Sequence, residues 1–419
     1  MTKKMQKPQT LKGFRDFLPE EKRKRDFIIQ RIKQVFELFG FEPLETPTLE
    51  YAGLLLGKYG DEADKLVYTF TDRGKRQIGL RFDQTVPTAR ILAQYQNQLP
   101  KYFRRYQIQN VFRADKPQKG RFREFTQCDI DIFGSSSPLA DAEIVSCTYW
   151  AFKNIGFKQV KIKINDRQIL FETLKPFTNK TVDVFSLIQS IDKLNKIGAE
   201  AVISELENKG LNKNDAQKVL KEIGQAKTSP SLKSIIEAAV GLGVAKTDIQ
   251  FSPSLARGLD YYTDMIFEVV LPEYTAGSCG GGGRYDKLIA QLGGVDIPAV
   301  GIAFGFDRMV EAADQLGLIP EQKSGAQVLV TVFSPEYLTQ SLQLASRLRQ
   351  AGVKTELYPD TNVRLDKQFK YANKKGIPRV AIVGPEEIRA NIIAVKNMKT
   401  GEQETISLEK TIEKLITNG

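Results

Sequence analysis

The chain has 419 residues, 41% apolar and 26% charged, a length that implies two or three domains and a balance that excludes disordered and fibrous classes. Its 61 lysines and arginines against 50 aspartates and glutamates leave a formal net charge of +11. That surplus favours a polyanionic partner, because each neutralised phosphate releases condensed counterions. There is no histidine, which excludes a histidine-centred triad, histidine metal ligands and histidine acid–base catalysis. Cys128, Cys147 and Cys279 form no CxxC pair and read as small buried hydrophobes in a reducing compartment. The basic N-terminus lacks the apolar stretch of a secretory signal and no run is apolar for long enough to span a bilayer, so a cytoplasmic location without membrane spans is expected.

In chain order, residues 20–39 carry Phe27, Ile28, Ile32, Val35, Phe36 and Phe39 at helical spacing, with Gly40 placed to cap the helix. An extended segment with Pro43 and Pro47 follows. The segment IGLRFDQT reads as a strand that presents Asp83 and Thr85 on one face. Residues 102–133 predict two long strands around a polar loop at 114–120, the serines at 135–137 a loop, and 138–155 a second helix. From 165 onward the sequence turns rich in Lys, Glu and Ala at helical spacing, which predicts a helical insertion over about 170–245. Gly-rich, strand-like sequence returns at 257–315. After a polar connector near 317–325, strands alternate with helices as in a compact α/β domain. The expected domains are therefore 1–322 and 323–419.

Alternate residues of a strand share a face. Thr126, Cys128, Ile130 and Ile132 thus form one side of the second hairpin strand, and Phe125, Gln127, Asp129 and Asp131 the other. The first set is a core face; the second lines up an aromatic ring, an amide and two carboxylates, an odd choice for packing alone. Arg113 ends the opposite strand, and the loop adds Lys116, Lys119, Arg121 and Arg123. Two readings stay open from the residues alone. One is a solvated hairpin with a charged tip. The other is a nucleotide site where Arg113 and Arg121 hold phosphate, Phe125 stacks on a base, and Gln127 and Asp131 meet a small polar ligand. Asp83 beside Thr85 suits an ammonium group, although such pairs are common on surfaces.

The segment SLARGLDYYTD sets Arg257 close to Tyr261 and Tyr262, and AGSCGGGGRYD carries four consecutive glycines. These fit neither a P-loop nor a dinucleotide fingerprint; they serve either a flexible turn or a close backbone approach. IPAVGIAFGFDRMVEAADQL reads as a strand, a glycine turn and a helix with Arg308 in its first turn, where a helix N-terminus attracts anions. In the last domain Arg364, Lys367, Lys370 and Lys374 make one helical stripe, either a solvated face or a contact for RNA phosphate.

In order and spacing these segments resemble the class II aminoacyl-tRNA synthetase motifs: 33–49 is similar to motif 1, 106–131 with FRADKPQKGRFREF to motif 2, and 298–312 to motif 3. ARGLDYYT and CGGGGRYDKLI resemble the two signature peptides of the histidyl-tRNA synthetase family, and LKGFRDFLPEE and LRFDQTVPTARILAQY are similar to further segments of it. The resemblance covers nearly the whole chain. It implies an α/β chain: an α+β catalytic domain on an antiparallel sheet with flanking helices, plus a small α/β C-terminal anticodon-binding domain. It also implies a homodimeric histidine–tRNA ligase that uses ATP with Mg²⁺, holds no protein-bound metal, and works on histidine and tRNA(His). The rival reading is a non-catalytic paralogue that serves as a regulatory subunit or tRNA sensor.

Carried over by position, the resemblance gives Asp83, Thr85 and Gln127 to the substrate α-ammonium group. It gives Asp131 and Tyr262 to the imidazole, with Tyr261 not separable from Tyr262 by strand parity. Arg113 would hold the ATP α-phosphate and Phe125 would stack on adenine. Arg308 would cover the other adenine face and reach the γ-phosphate, and Asp115 would sit near the adenine amino group. Arg257 would stand where other class II enzymes use a divalent ion, forming the catalytic pair with Arg113. Asp131 stands where glutamate is commoner in the family, one methylene shorter.

Overall fold

Alternation along the hairpin decides how the larger of two units is layered. The computed structural model describes residues 8–56, 65–116, 122–257, 261–275, 277–321 and 323–417. One unit is built on the chain up to Ile319, the other on Pro320 onward together with Phe17–Arg23. The strands of the first are β1 (Glu42–Pro43), β2 (Leu49–Tyr51), β3 (Thr69–Thr71), β4 (Gln77–Leu80), β5 (Phe103–Phe112), β6 (Glu124–Phe133), β7 (Lys161–Asp166), β8 (Ile249–Phe251), β9 (Met265–Val270), β10 (Gly280–Arg284) and β11 (Ala299–Phe304). Eight of them form one sheet in the order β1-β5-β6-β11-β10-β9-β7-β8, antiparallel from β5 to β7 with a parallel strand at each edge. The remaining three form a small antiparallel sheet, β2-β4-β3.

Cys128, Ile130 and Ile132 of β6 are at most 2% exposed and turn into a core under helices Pro19–Leu38, Pro138–Ile155, Pro230–Gly241 and Phe306–Gln315. Each of the two isoleucines stabilises the fold by about 1.5–3 kcal/mol through burial. The helix Pro138–Ile155 begins where Ser137 accepts from the backbone of Leu139 at 3.3 Å and ends at Gly156, whose φ of 116° is left-handed. On the other face a second core joins Phe82, Val86, Tyr262, Tyr285 and Leu288 to the helices Arg167–Leu174, Val184–Ile191, Ala199–Lys209 and Lys213–Gln225.

The helical stretch therefore divides. Its last helix, Pro230–Gly241, packs on Pro138–Ile155 in the first core instead. Ser229 makes the break: its hydroxyl accepts from the Leu232 amide at 3.1 Å and donates to Asp166 at 2.9 Å, so a new helix starts there in a new direction.

In one place strand parity misled. The strand expected through IGLRFDQT stops at Leu80, and a helix, Thr85–Gln94, starts five residues later. Asp83 accepts from the Val86 amide at 3.1 Å, a local carboxylate–backbone bond that favours a helix start over a continuing strand.

The second unit holds β12 (Val328–Val330), β13 (Thr355–Leu357), β14 (Arg379–Ile382), β15 (Ile393–Asn397) and β16 (Gln403–Ile406), in the order β13-β12-β14-β15-β16. The first three are parallel, the last two antiparallel, with an apolar cluster on each side of the sheet. The chain is thus an α+β unit on a mainly antiparallel sheet followed by a small α/β unit. Among the described residues no helix is long and apolar enough to cross a membrane.

Candidate functional site

The β5–β6 register places Arg105 opposite Asp131, Gln107 opposite Asp129, Gln109 opposite Gln127 and Val111 opposite Phe125. The face of the hairpin turned away from the first core is therefore a buried polar ladder. Arg105, with a side chain 1% exposed, makes an ion pair with Asp131 at 2.7 Å and donates to Gln107 at 3.2 Å. Tyr285, just past β10, donates its hydroxyl to Asp131 as well. Burial pushes the Asp131 carboxyl upward against the pull of Arg105 and Tyr285.

Above this ladder lies a cavity of about 350 Å³ whose lining includes Asp83, Thr85, Gln127, Asp129, Asp131, Arg257, Tyr261 and Tyr262. Asp83 and Thr85 reach it from the helix start at Thr85, although no strand relates them. Glycines make the room. Gly280–Gly283 lie in a strand and none has a positive φ, so their use is close approach and not a turn. A Cβ on Gly281 would fall on the guanidinium of Arg257, and one on Gly283 would lie 2.9 Å from Tyr262 Cδ1. Gly301 on β11 leaves space in the same way for the Asp131 carboxyl. Tyr262 is buried and Tyr261 half-buried, their rings 4.6 Å apart.

Charge in this cavity is unevenly satisfied. Gln127 donates from Nε2 to Asp129 Oδ2 at 2.7 Å, yet Gln127 Oε1 and Asp129 Oδ1 have no hydrogen-bond partner among the described residues. Burial raises the Asp129 carboxyl to about 8, with Arg105 opposing and Asp131 adding to the rise. Two buried acceptors without donors point to a ligand that supplies N–H groups.

A second cavity of about 360 Å³ shares Leu66 and Arg113 with the first. Arg113 donates to the carbonyl of Phe82 at 3.0 Å, and its guanidinium stands 5.1 Å from the Phe125 ring centre. Phe125, Asp115, Phe122, Phe306, Asp307 and Arg308 also line this cavity. Arg308, in the first turn of the helix Phe306–Gln315, is exposed and held by a 2.7 Å bond to the carbonyl of Ser278. Asp307 beside it is engaged by Arg15 at 2.8 Å and Arg25 at 2.5 Å, and Arg15 also lies 3.4 Å over the Phe122 ring. Arg15 and Arg25 thus brace the cavity wall.

Of the site residues expected from sequence, the structure brings eleven side chains to these two cavities: Asp83, Thr85, Arg113, Asp115, Phe125, Gln127, Asp131, Arg257, Tyr261, Tyr262 and Arg308. Arg121 lies outside the described residues. In the second unit Lys367, Lys370 and Lys374 are exposed on the helix Leu365–Lys375, with Gln368 and Ala372 buried on its other side. Arg364 precedes that helix and pairs with Asp366 at 3.3 Å. Arg105, Tyr285 and Gly301 escaped the sequence reading, whereas the glycine run that includes Gly281 was left open between a turn and a close approach. Arg105 had a signal, since it shares strand parity with the polar face once the hairpin is closed around its loop.

Residues 13–309 match the family model described as Histidyl-tRNA synthetase, and residues 327–418 the one described as Anticodon binding domain. The histidine–tRNA ligase of Cytophaga hutchinsonii is 37% identical over an alignment of 455 positions, gaps included, that covers 98% of this chain and 100% of that one. That of Wolinella succinogenes is 38% identical over 437, covering 98% of both. The crystal structure of histidyl-tRNA synthetase from Nostoc sp. PCC 7120 is similar with a TM-score of 0.86 at 31% identity, over 98% of this chain and 99% of that one.

Proposed function

The chain belongs to the histidyl-tRNA synthetase family and is a histidine–tRNA ligase that uses ATP, and on that premise we propose how its residues divide the work. The observation that carries the proposal is the pair of cavities that meet at Arg113, one with unpartnered acceptors and the other lined by Phe125 and Arg308. Histidine takes the first. Asp83, Thr85 and Gln127 receive its α-ammonium group, while Asp131 and Tyr262 meet the imidazole, with Tyr261 beside Tyr262 on the cavity wall. ATP takes the second. Phe125 and Arg308 sandwich the adenine, Asp115 lies near its amino group, and Arg121 is a further phosphate contact.

In the first step a histidine carboxylate oxygen attacks the α-phosphorus of ATP and pyrophosphate leaves. The nucleophile is already ionised, so no enzymic base is needed, which suits a chain without histidine. What remains is positioning and stabilisation of charge on the five-coordinate phosphorus. Arg113 and Arg257 supply it, each guanidinium–phosphate hydrogen bond contributing about 1.5–3 kcal/mol. In the second step a terminal ribose hydroxyl of tRNA(His) attacks the acyl carbon and AMP leaves.

Mg²⁺ enters as the counter-ion of ATP. Of the two carboxylates lining the nucleotide cavity, Asp307 is engaged by Arg15 and Arg25, so phosphate oxygens would supply most of the ion's ligands, neutralising the outer phosphates. The second unit reads the anticodon arm, with Lys367, Lys370 and Lys374 toward phosphate.

A homodimer is supported by the small sheet. Tyr51 and Phe70 both pair with Ile78, forming a lateral row, and are 63% and 46% exposed, with Leu49 beside them at 43%. An exposed apolar row of this kind suits a subunit contact. The cytoplasm is the proposed location, in keeping with three free, buried thiols.

ATP–pyrophosphate exchange across the twenty amino acids tests the assignment. Exchange should depend on histidine alone, since a site that hydrogen-bonds the ring rejects analogues without it by roughly 10⁴–10⁵. Absence of exchange would favour the paralogue reading.

A further inference from the structure

Asp129 is the one carboxylate of the histidine cavity to which the assignments above give no task. It sits between Gln127 and Asp131 on the cavity face of β6 and is 4% exposed. Its Oδ2 accepts from Gln127 Nε2 at 2.7 Å. That bond orients the amide, so Gln127 Oε1 is left without a partner among the described residues, as is Asp129 Oδ1. An isolated buried acceptor is a cost. With the Asp129 carboxyl ionised, the two on one face make a receptor for a group with several N–H bonds.

We propose that Asp129 is a further binding residue for the substrate's α-ammonium group: it fixes the Gln127 amide with its oxygen available and adds its own Oδ1 as a second acceptor. The inference rests on the histidine reading of this cavity. It also carries a proton balance. Among the described residues the charged groups that act on Asp129 are Arg105 and Asp131 from the hairpin and Asp83 from the turn before Thr85. Around the cavity stand Arg113 and Arg257 and the hydroxyls of Tyr261, Tyr262 and Tyr285.

Burial pushes the Asp129 carboxyl up to about 8, so near neutral pH it keeps a proton, and Oδ1 is the oxygen left to hold it. An ammonium group placed against it favours the carboxylate. Binding therefore converts a carboxylic acid and an ammonium ion into an ion pair and sends one proton to solvent. The exchange is confined to pH values below the raised carboxyl value.

Calorimetry of histidine binding to the full chain, in buffers of different ionisation enthalpy, counts that proton. The wild-type protein should release about one proton more per histidine near neutral pH than Asp129→Asn, and the difference should vanish above pH of about 9. Asp129→Asn should raise the KM for histidine about 10- to 100-fold, the loss of hydrogen bonds to a charged group, and leave the KM for ATP unchanged. Asp129→Glu, which keeps the carboxyl, should retain the proton release. An unchanged ATP KM also shows that the variant is folded. Equal proton counts in wild type and Asp129→Asn, or an equal rise in both KM values, overturn the proposal. Failure of the wild type itself to bind histidine overturns the reading of the cavity instead.

Discussion

Arg257 and Gly281 share one place: the guanidinium of Arg257 fills the volume that any side chain on Gly281 would need. The glycine is in an ordinary strand conformation within β10, so its selection is about room and not about φ. Gly281→Ala should therefore separate stability from activity. Alanine in an extended strand loses less conformational entropy than glycine and gains about 0.5–1 kcal/mol, offset by the cost of moving Arg257. Adenylate formation should fall about 10²–10³-fold, the usual cost of removing one preorganised donor to the transition state. Pyrophosphate exchange and a thermal melt check the two together. A full exchange rate would take Arg257 away from the α-phosphate.

The sequence made some of this site legible and hid the rest for identifiable reasons. Gln127 and Asp131 were readable because strand period is 2 and needs no knowledge of the neighbouring strand. Arg105 was hidden, since its partnership with Asp131 exists only in the β5–β6 register. Tyr285 and Gly301 come to Asp131 from residues more than 150 positions away in sequence, a distance over which local pattern carries nothing. Asp83 and Thr85 reached the right cavity for the wrong reason: a side-chain bond to the Val86 amide started a helix where alternation predicted a strand. The division of the helical stretch at Ser229 was equally invisible, because both parts have the same amphipathic period and differ only in which core they join.

Asp131 is bound to the buried Arg105, so Asp131→Ala removes two things at once. Histidine activation should fall far more than the KM for ATP changes. Stability should fall too, by about 3–5 kcal/mol, because an unpaired guanidinium stays buried. The double variant Arg105→Met/Asp131→Leu should recover much of the melting temperature without recovering histidine activation. If the double variant activates histidine, ring recognition does not reside at Asp131.

Glu205, in the helix Ala199–Lys209, gives the helical insertion a pH signature. Lys193 at 2.8 Å, then Ser190 at 2.9 Å and Lys209 at 3.2 Å, lower its carboxyl from 4.5 to about 2. A folded-state value below the unfolded one means the stabilisation is complete above about pH 4.5 and is lost as pH falls through 2. The carboxylate is 23% exposed, and screening reduces its contribution to about 1 kcal/mol. Glu205→Gln should be less stable than wild type by that amount at neutral pH, and the two should converge near pH 2. Urea titrations at several pH values measure it, and a gap independent of pH would assign the loss to packing.

The stripe on the helix Leu365–Lys375 separates two readings by its salt dependence. Lys367 and Lys370 are exposed while Gln368 and Ala372 bury the opposite side, so alanine at both lysines should change stability by no more than about 0.5 kcal/mol each. If both lysines neutralise tRNA phosphates, the double variant should reduce the slope of log K against log salt by about two units. Histidine-dependent pyrophosphate exchange, which needs no tRNA, should stay at the wild-type rate and locate the loss in tRNA binding. An unchanged slope would make the stripe a solvated face, and the tRNA contacts of this unit would then have to be sought on another of its surfaces.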